Sequence, residues 1–422
     1  MENKPKINTN LWLLLLGRTI SDTGSGIQIV IMPLYIIDSG GSAATVGLFS
    51  FLSLMPTLLI YPFAGVLGDR LNRKAIMVAA DIASAIVILG LAAVSQSGRM
   101  SLALLLSVQV LVSGLYGLFD PASKGMLPQL VTEEELTRAN SALASLRILS
   151  GVLSPVIGAA LYANLGVTVL FVINGISFLL SGGCSTLIRY VYTRRELKSK
   201  GTRFLTDLSE GIRFILNNKS IRRFCLFFLL IYALIQPVFT VVLPLFFRSR
   251  LHYTDTQYGY LQMLMILGAL LGSILVGVLF GKDKDLRISL QIGCNLQMLM
   301  MIAFTILLFP RIILVLGNDT VSYFALLAGV FCFLSVGLMF INVPVQSYIQ
   351  KATPQEYMSR VFSIVGMISK GGMPVGALVY GIVLNNIKVH WTILGADLLI
   401  ILITVVFLRS ILRTELIHNN LD

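Results

Sequence analysis

The chain has 422 residues, 56% of them apolar and only 12% charged, and a mean hydropathy of +0.85. Soluble globular proteins carry roughly a quarter charged residues, so this composition excludes a water-soluble domain and points to a membrane. The formal charge of +12 calls for no nucleic-acid partner, because membrane topology accounts for it.

Apolar stretches long enough to cross a hydrocarbon core of ~30 Å recur along the whole length. Twelve spans are predicted, near 11–37, 45–67, 75–97, 101–120, 140–165, 167–189, 222–247, 257–280, 287–309, 321–342, 361–384 and 390–411. The first holds Arg18 and Asp22 and lacks a small-residue cleavage site, so a retained helix is expected and not a signal peptide. The longest hydrophilic stretch divides the chain into bundles at 1–190 and 222–422, with a cytoplasmic linker at 191–221. Phe204, Leu208, Ile212 and Ile215 fall at helical spacing there, which predicts an amphipathic helix at the inner membrane surface, either a gate or a tether. Both termini and the loops after even-numbered spans hold 24 of the 32 Lys and Arg, against five in the opposite loops. The positive-inside rule then places both termini in the cytoplasm.

The halves repeat. IQIVIMPLYI (27–36) answers VFTVVLPLFF (238–247), with Pro33 matching Pro244, and GVLGDRLNRKAI (65–76) answers GVLFGKDKDLRI (277–288). TEEELTR (132–138) answers TPQEYMSR (353–360), each opening with a capping box, and SPVIGAALY (154–162) answers MPVGALVY (373–380). Matching spans differ by six, so the fold class expected is an all-α membrane protein of two parallel six-helix repeats, with a path between them.

Three stretches resemble a known family. GVLGDRLNRK, with Gly65, Asp69, Arg70, Arg73 and Lys74, resembles the loop between the second and third helices of the major facilitator superfamily; Asn72 stands where Gly is usual. SPVIGA, with Pro155 and Gly158, resembles the fifth-helix signature of its antiporter branches, and DPASKGMLPQLVTEEELTRANS (120–141) resembles its macrolide-efflux-like multidrug branch. The resemblance implies a proton-coupled exporter working by alternating access. It also implies a cytoplasmic latch, in which Asp69 faces a helix N-terminus of the other half and Arg73 pairs with Asp120. Lipid anchoring of the basic residues is the plainer alternative.

Charges inside spans are costly and therefore candidates for function. Arg18 and Asp22, four apart, share a helix face and can pair; Asp22 is either a proton carrier or half of a fixed ion pair. Arg147 and Lys370 either reach the cavity or extend to the inner interface. Asp81 and Asp397, on spans 3 and 12, which the resemblance makes peripheral, are expected to be structural or interfacial. Three cations against one central carboxylate favour anionic, zwitterionic or neutral amphipaths. Tyr116, Phe119, Tyr232, Gln236, Met263 and Met265 are candidate cavity contacts, with helix packing as the alternative.

Cys184, Cys225, Cys294 and Cys332 lie in different spans without metal-ligand spacing, and the chain has no phosphate-binding loop. No enzyme, metal or ATP chemistry is expected. A proton gradient is expected in place of a cofactor, a small amphipathic substrate and the bilayer as partners, and a monomer in the cell membrane. The alternatives are a lysophospholipid or siderophore exporter without proton coupling, and a membrane sensor.

Overall fold

A computed structural model describes residues 9–189, 212–280, 286–317, 320–353 and 358–412. The helices are α1 (Thr9–Asp38), α2 (Ala43–Arg70), α3 (Arg73–Gln96), α4 (Leu102–Leu130) and a continuous run over Glu133–Leu187. That run turns at Gly166, whose φ of 74° lies in the left-handed region. It therefore comprises two helices, α5 (133–165) and α6 (167–187). Then follow α7 (Lys219–Pro237), α8 (Asp255–Phe280), α9 (Leu286–Leu307), α10 (Val321–Ala352), α11 (Met358–Asn386) and α12 (Val389–Leu412). Among the described residues, eleven helical segments are long and apolar enough to cross a membrane. One of them, Ser145–Leu187, contains the Gly166 turn, which makes twelve spans. The protein is a multi-pass, all-α membrane protein.

The chain divides into two compact units: residues 1–41, 48–198 and 254–260, and residues 42–47, 199–253 and 261–422. In the first, α1 packs along α5 and α6 through a seam of small residues. A Cβ on Gly26 would lie 2.6 Å from Ser154 Oγ, and one on Gly158 would lie 3.2 Å from the Ile31 side chain. Close approach lets hydroxyls bond across the seam: Ser154 Oγ donates to the Thr23 carbonyl at 3.1 Å, and Thr23 Oγ1 to Ser150 Oγ at 2.9 Å. Asn174 Nδ2 donates to Gln28 Oε1 at 2.6 Å. Lipid tails supply no hydrophobic drive between helices, so such small-residue packing and polar bonds hold the bundle together.

In the second unit α7 packs on α11, and α9 on α10 and α12. A Cβ on Gly372 or Gly376 would collide with the backbone carbonyl of Leu229 or Ala233. Past Pro237, α7 continues as a π-helical stretch, Val238–Val242, a short α-helical piece, Leu243–Phe246, and a second π-helical stretch, Phe247–Leu251. Pro237 and Pro244 lack the N–H that a regular helix needs, which loosens the ladder here.

Candidate functional site

The opening charges of α3 tie its N-terminal end to α4 and to the end of α6 within the first unit. Asn72 caps α3, its Oδ1 accepting from Lys74 N at 3.0 Å; this is what Asn gives at a position usually Gly. Lys74 Nζ donates to the Ile188 carbonyl at 2.9 Å, just past the end of α6, where helix carbonyls are unsatisfied. Arg73 donates to the Gly125 carbonyl, and a Cβ on Gly125 would lie 2.9 Å from the guanidinium carbon, so Gly makes room for it. The expected Arg73–Asp120 pair is not formed among the described residues. Gly65, Asp69 and Arg70 lie in the last turns of α2; the latch expected of Asp69 concerns side chains outside those described.

Asp120 sits elsewhere because α4 runs on to Leu130, ten residues past the predicted end of the span. Its side chain, 2% exposed, is the hub of a charged cluster. Arg18 Nη2 donates to Oδ1, and Nη1 of the same guanidinium to Ser123 Oγ. Lys124 Nζ donates to Oδ2 at 2.7 Å, and Tyr61 Oη donates to the same oxygen at 3.0 Å. Arg147 of α5 reaches Oδ1 at 3.5 Å and Tyr116 Oη at 3.3 Å. Arg18 also stands 6.0 Å from the centroid of the Phe119 ring.

The expected Arg18–Asp22 pair is present, with Nε to Oδ2 at 3.4 Å, but Nε makes no hydrogen bond. Arg18 thus spends both terminal nitrogens on α4 and holds Asp22 only through charge. This corrects the charge count: the cluster sets Arg18, Lys124 and Arg147 against two carboxylates, Asp120 and Asp22. Beside it, Asp22, Tyr116 and Phe119 line a cavity with Ser21, Ser84 and Asp81, with room for about one water. Asp81, which the sequence suggested was peripheral, belongs to this cavity.

The remaining candidates are more dispersed. Lys370 is exposed on α11. Gly158 is buried in the α1–α5 seam, and Pro155 is buried on α5 with its carbonyl close to Gly259 of α8, so the visible role of both is packing. In the second unit Tyr232 Oη donates to Asn342 Oδ1 at 2.7 Å, and the Gln236 carbonyl accepts from Thr240 at 3.3 Å as the π-helical stretch begins. Met263 and Met265 are half-buried on α8. Three members of the charged cluster, Tyr61, Ser123 and Lys124, were missed; Lys124 stands one helical turn from Asp120, and that spacing was the available signal.

The profile of the Major Facilitator Superfamily matches residues 14–410. Macrolide efflux protein A of Streptococcus pyogenes is 26% identical over 412 residues, covering 95% of this chain and 96% of that protein. Multidrug efflux pump Tap of Mycolicibacterium fortuitum is 25% identical, covering 94% of each. Among solved structures, the nucleoside transporter NupG superposes with a TM-score of 0.76 at 14% identity, over 97% of this chain and all of that one. A bacterial homologue of the iron transporter ferroportin, inward-facing, gives 0.70 at 17% identity, over 96% and 99%. At such identities these structures bear on the fold alone.

Proposed function

The chain belongs to the Major Facilitator Superfamily, a transporter family, and from that membership we propose that it exports small, drug-like amphipathic compounds across the cytoplasmic membrane in exchange for protons, by alternating access. The relatives named as macrolide and multidrug efflux proteins support the substrate class. The observation that carries the exchange is the unequal hold on two carboxylates. Asp120 takes hydrogen bonds from Arg18, Lys124 and Tyr61, a set that keeps it ionised. Asp22 faces Arg18 at 3.4 Å without a hydrogen bond from it and lines the cavity. It is the carboxylate free to change charge between states.

With Asp22 ionised, the cluster is one positive charge from balance; with Asp22 protonated, it gains another. An arriving amphipath bearing an ammonium group competes with that proton for Asp22, and a neutral one meets Tyr116 and Phe119 beside it. The second carboxylate lowers the cluster's excess from two positive charges to one and so weakens the objection to cationic compounds. Both termini are cytoplasmic in this reading, the protein acts as a monomer, and no cofactor takes part.

Uptake of a radiolabelled macrolide into everted vesicles tests this. Imposing a gradient, acid inside, should drive accumulation, and a protonophore should abolish it. Asp22→Asn should remove the gradient-driven component. Uptake indifferent to the gradient in the wild type refutes proton exchange, and normal gradient-driven uptake by Asp22→Asn moves the coupling group elsewhere.

A further inference from the structure

We propose that Asp81 on α3 and Asp22 on α1 act as one proton-binding pair, joined through a water molecule in the cavity they both line. The proposal rests on the proton exchange just described and extends it to a residue not expected to take part.

Asp81 is 2% exposed, and its hydrogen bond comes from Ser181 Oγ on α6, at 2.7 Å. No cation pairs with it among the described residues: Arg18, Lys124 and Arg147 all turn to Asp120. The groups facing it are Asp22 from α1, Ser84 of its own helix, Tyr116 from α4, and Ser181 and Cys184 from α6. Burying a carboxylate without a counter-cation is strongly disfavoured. Asp81 is therefore the natural holder of a proton while Asp22 stays ionised beside Arg18. Two carboxyl groups lining one small cavity share a proton in this way, because the second charge is repelled by the first.

The transfer balances with one water. When the Arg18–Asp22 contact opens, the O–H bond of Asp81 breaks, its proton joins the bridging water, and that water gives a proton to Asp22. Asp81 is left as a carboxylate with the Ser181 hydroxyl donating to it. Reversal reloads Asp81. In the second unit a similar bond recurs with acid and hydroxyl exchanged: Thr305 on α9 donates to Asp397 on α12. Asp397 Oδ1 is buried without a partner, so that carboxyl also holds its proton, and it serves as a control.

Infrared difference spectroscopy on the purified protein, exchanged between H2O and D2O, reads protonated carboxyl groups directly. Asp81→Asn should delete one buried carboxylic C=O band, distinct from the band that Asp397→Asn deletes. Ser181→Ala should move the Asp81 band to higher frequency, since it removes a hydrogen bond to that C=O, and Asp22→Asn should also shift it. Gradient-driven macrolide uptake by Asp81→Asn should fall roughly tenfold or more, with the thermal unfolding midpoint recorded to show that the variant is folded. A spectrum unchanged by Asp81→Asn overturns the proposal, and a band that ignores Asp22→Asn overturns the pairing. If wild-type uptake ignores the gradient, proton exchange fails, while the infrared bands still decide whether the two carboxyls are coupled.

Discussion

Replacing Asp120 separates the cost of its buried partner from that of its exposed ones. Asp120 and Arg18 are each 2% exposed, whereas Lys124 and Arg147 are 52% and 50% exposed. Removing one member of a buried pair leaves the other uncompensated, at a cost of about 3–5 kcal/mol. Asp22, 3.4 Å from Arg18, offsets part of this, so Asp120→Asn should destabilise the fold by roughly 2–4 kcal/mol. Lys124→Met removes a half-exposed partner of the same carboxylate and should cost about 0–1 kcal/mol. Equilibrium unfolding in mixed detergent micelles measures both. Adding Arg18→Gln to Asp120→Asn removes the stranded charge and should recover most of the loss. If Lys124→Met proves as costly as Asp120→Asn, or if the double variant is no better than Asp120→Asn alone, the hub is not held by the buried pair and the reasoning fails.

Three further outcomes are expected. Gly26→Ala should destabilise the α1–α5 seam by about 1–3 kcal/mol, and Ser154→Gly, which removes the clashing side chain 2.6 Å away, should restore it; unfolding midpoints compare them. Gly376→Ala meets the backbone carbonyl of Ala233 instead, so no side-chain replacement on α7 should rescue it, and any that does would show the helices free to part. In a variant lacking the four native cysteines, Ser97→Cys should react with impermeant thiol reagents from outside the cell and Arg189→Cys only from the cytoplasm; the opposite labelling inverts the topology.

Hydropathy alone made the twelve spans legible, since a 20-residue apolar run in a membrane has few structural options. The break between the fifth and sixth spans was placed within a residue of Gly166, where a left-handed backbone ends one helix and starts the next. Pro33 lies inside the regular helix α1, whereas Pro244, matched with it in the sequence, opens a short α-helical piece between two π-helical stretches. The site was legible only where partners are close in sequence, as with Arg18 and Asp22. Asp120 lies 102 residues from Arg18, and the apolar run of α4 fades near it although the helix continues to Leu130. A span drawn by hydropathy therefore ended on the hub of the charged cluster, and made it look like a loop charge. Asp81 was hidden for the opposite reason: one carboxylate in a long apolar helix carries no sign of which neighbouring helix it faces.

The seam and the charges are connected by geometry. Gly24 and Gly26 of α1 lie within one turn of Asp22, and a Cβ on Gly24 would collide with Ser177 Oγ of α6. That close approach binds the segment bearing Asp22 to α5 and α6 while Arg18, one turn earlier, is tied to Ser123 and Asp120 of α4. A larger residue at either glycine would push α1 away from α5 and α6. Arg18 and Asp22 share that helix and would move together, so the bond at risk is the one from Arg18 to Asp120 on α4. In the proposed proton exchange the fifth-helix stretch would act through packing, since Gly158 and Ser154 set how closely α1, which carries both Arg18 and Asp22, approaches α5.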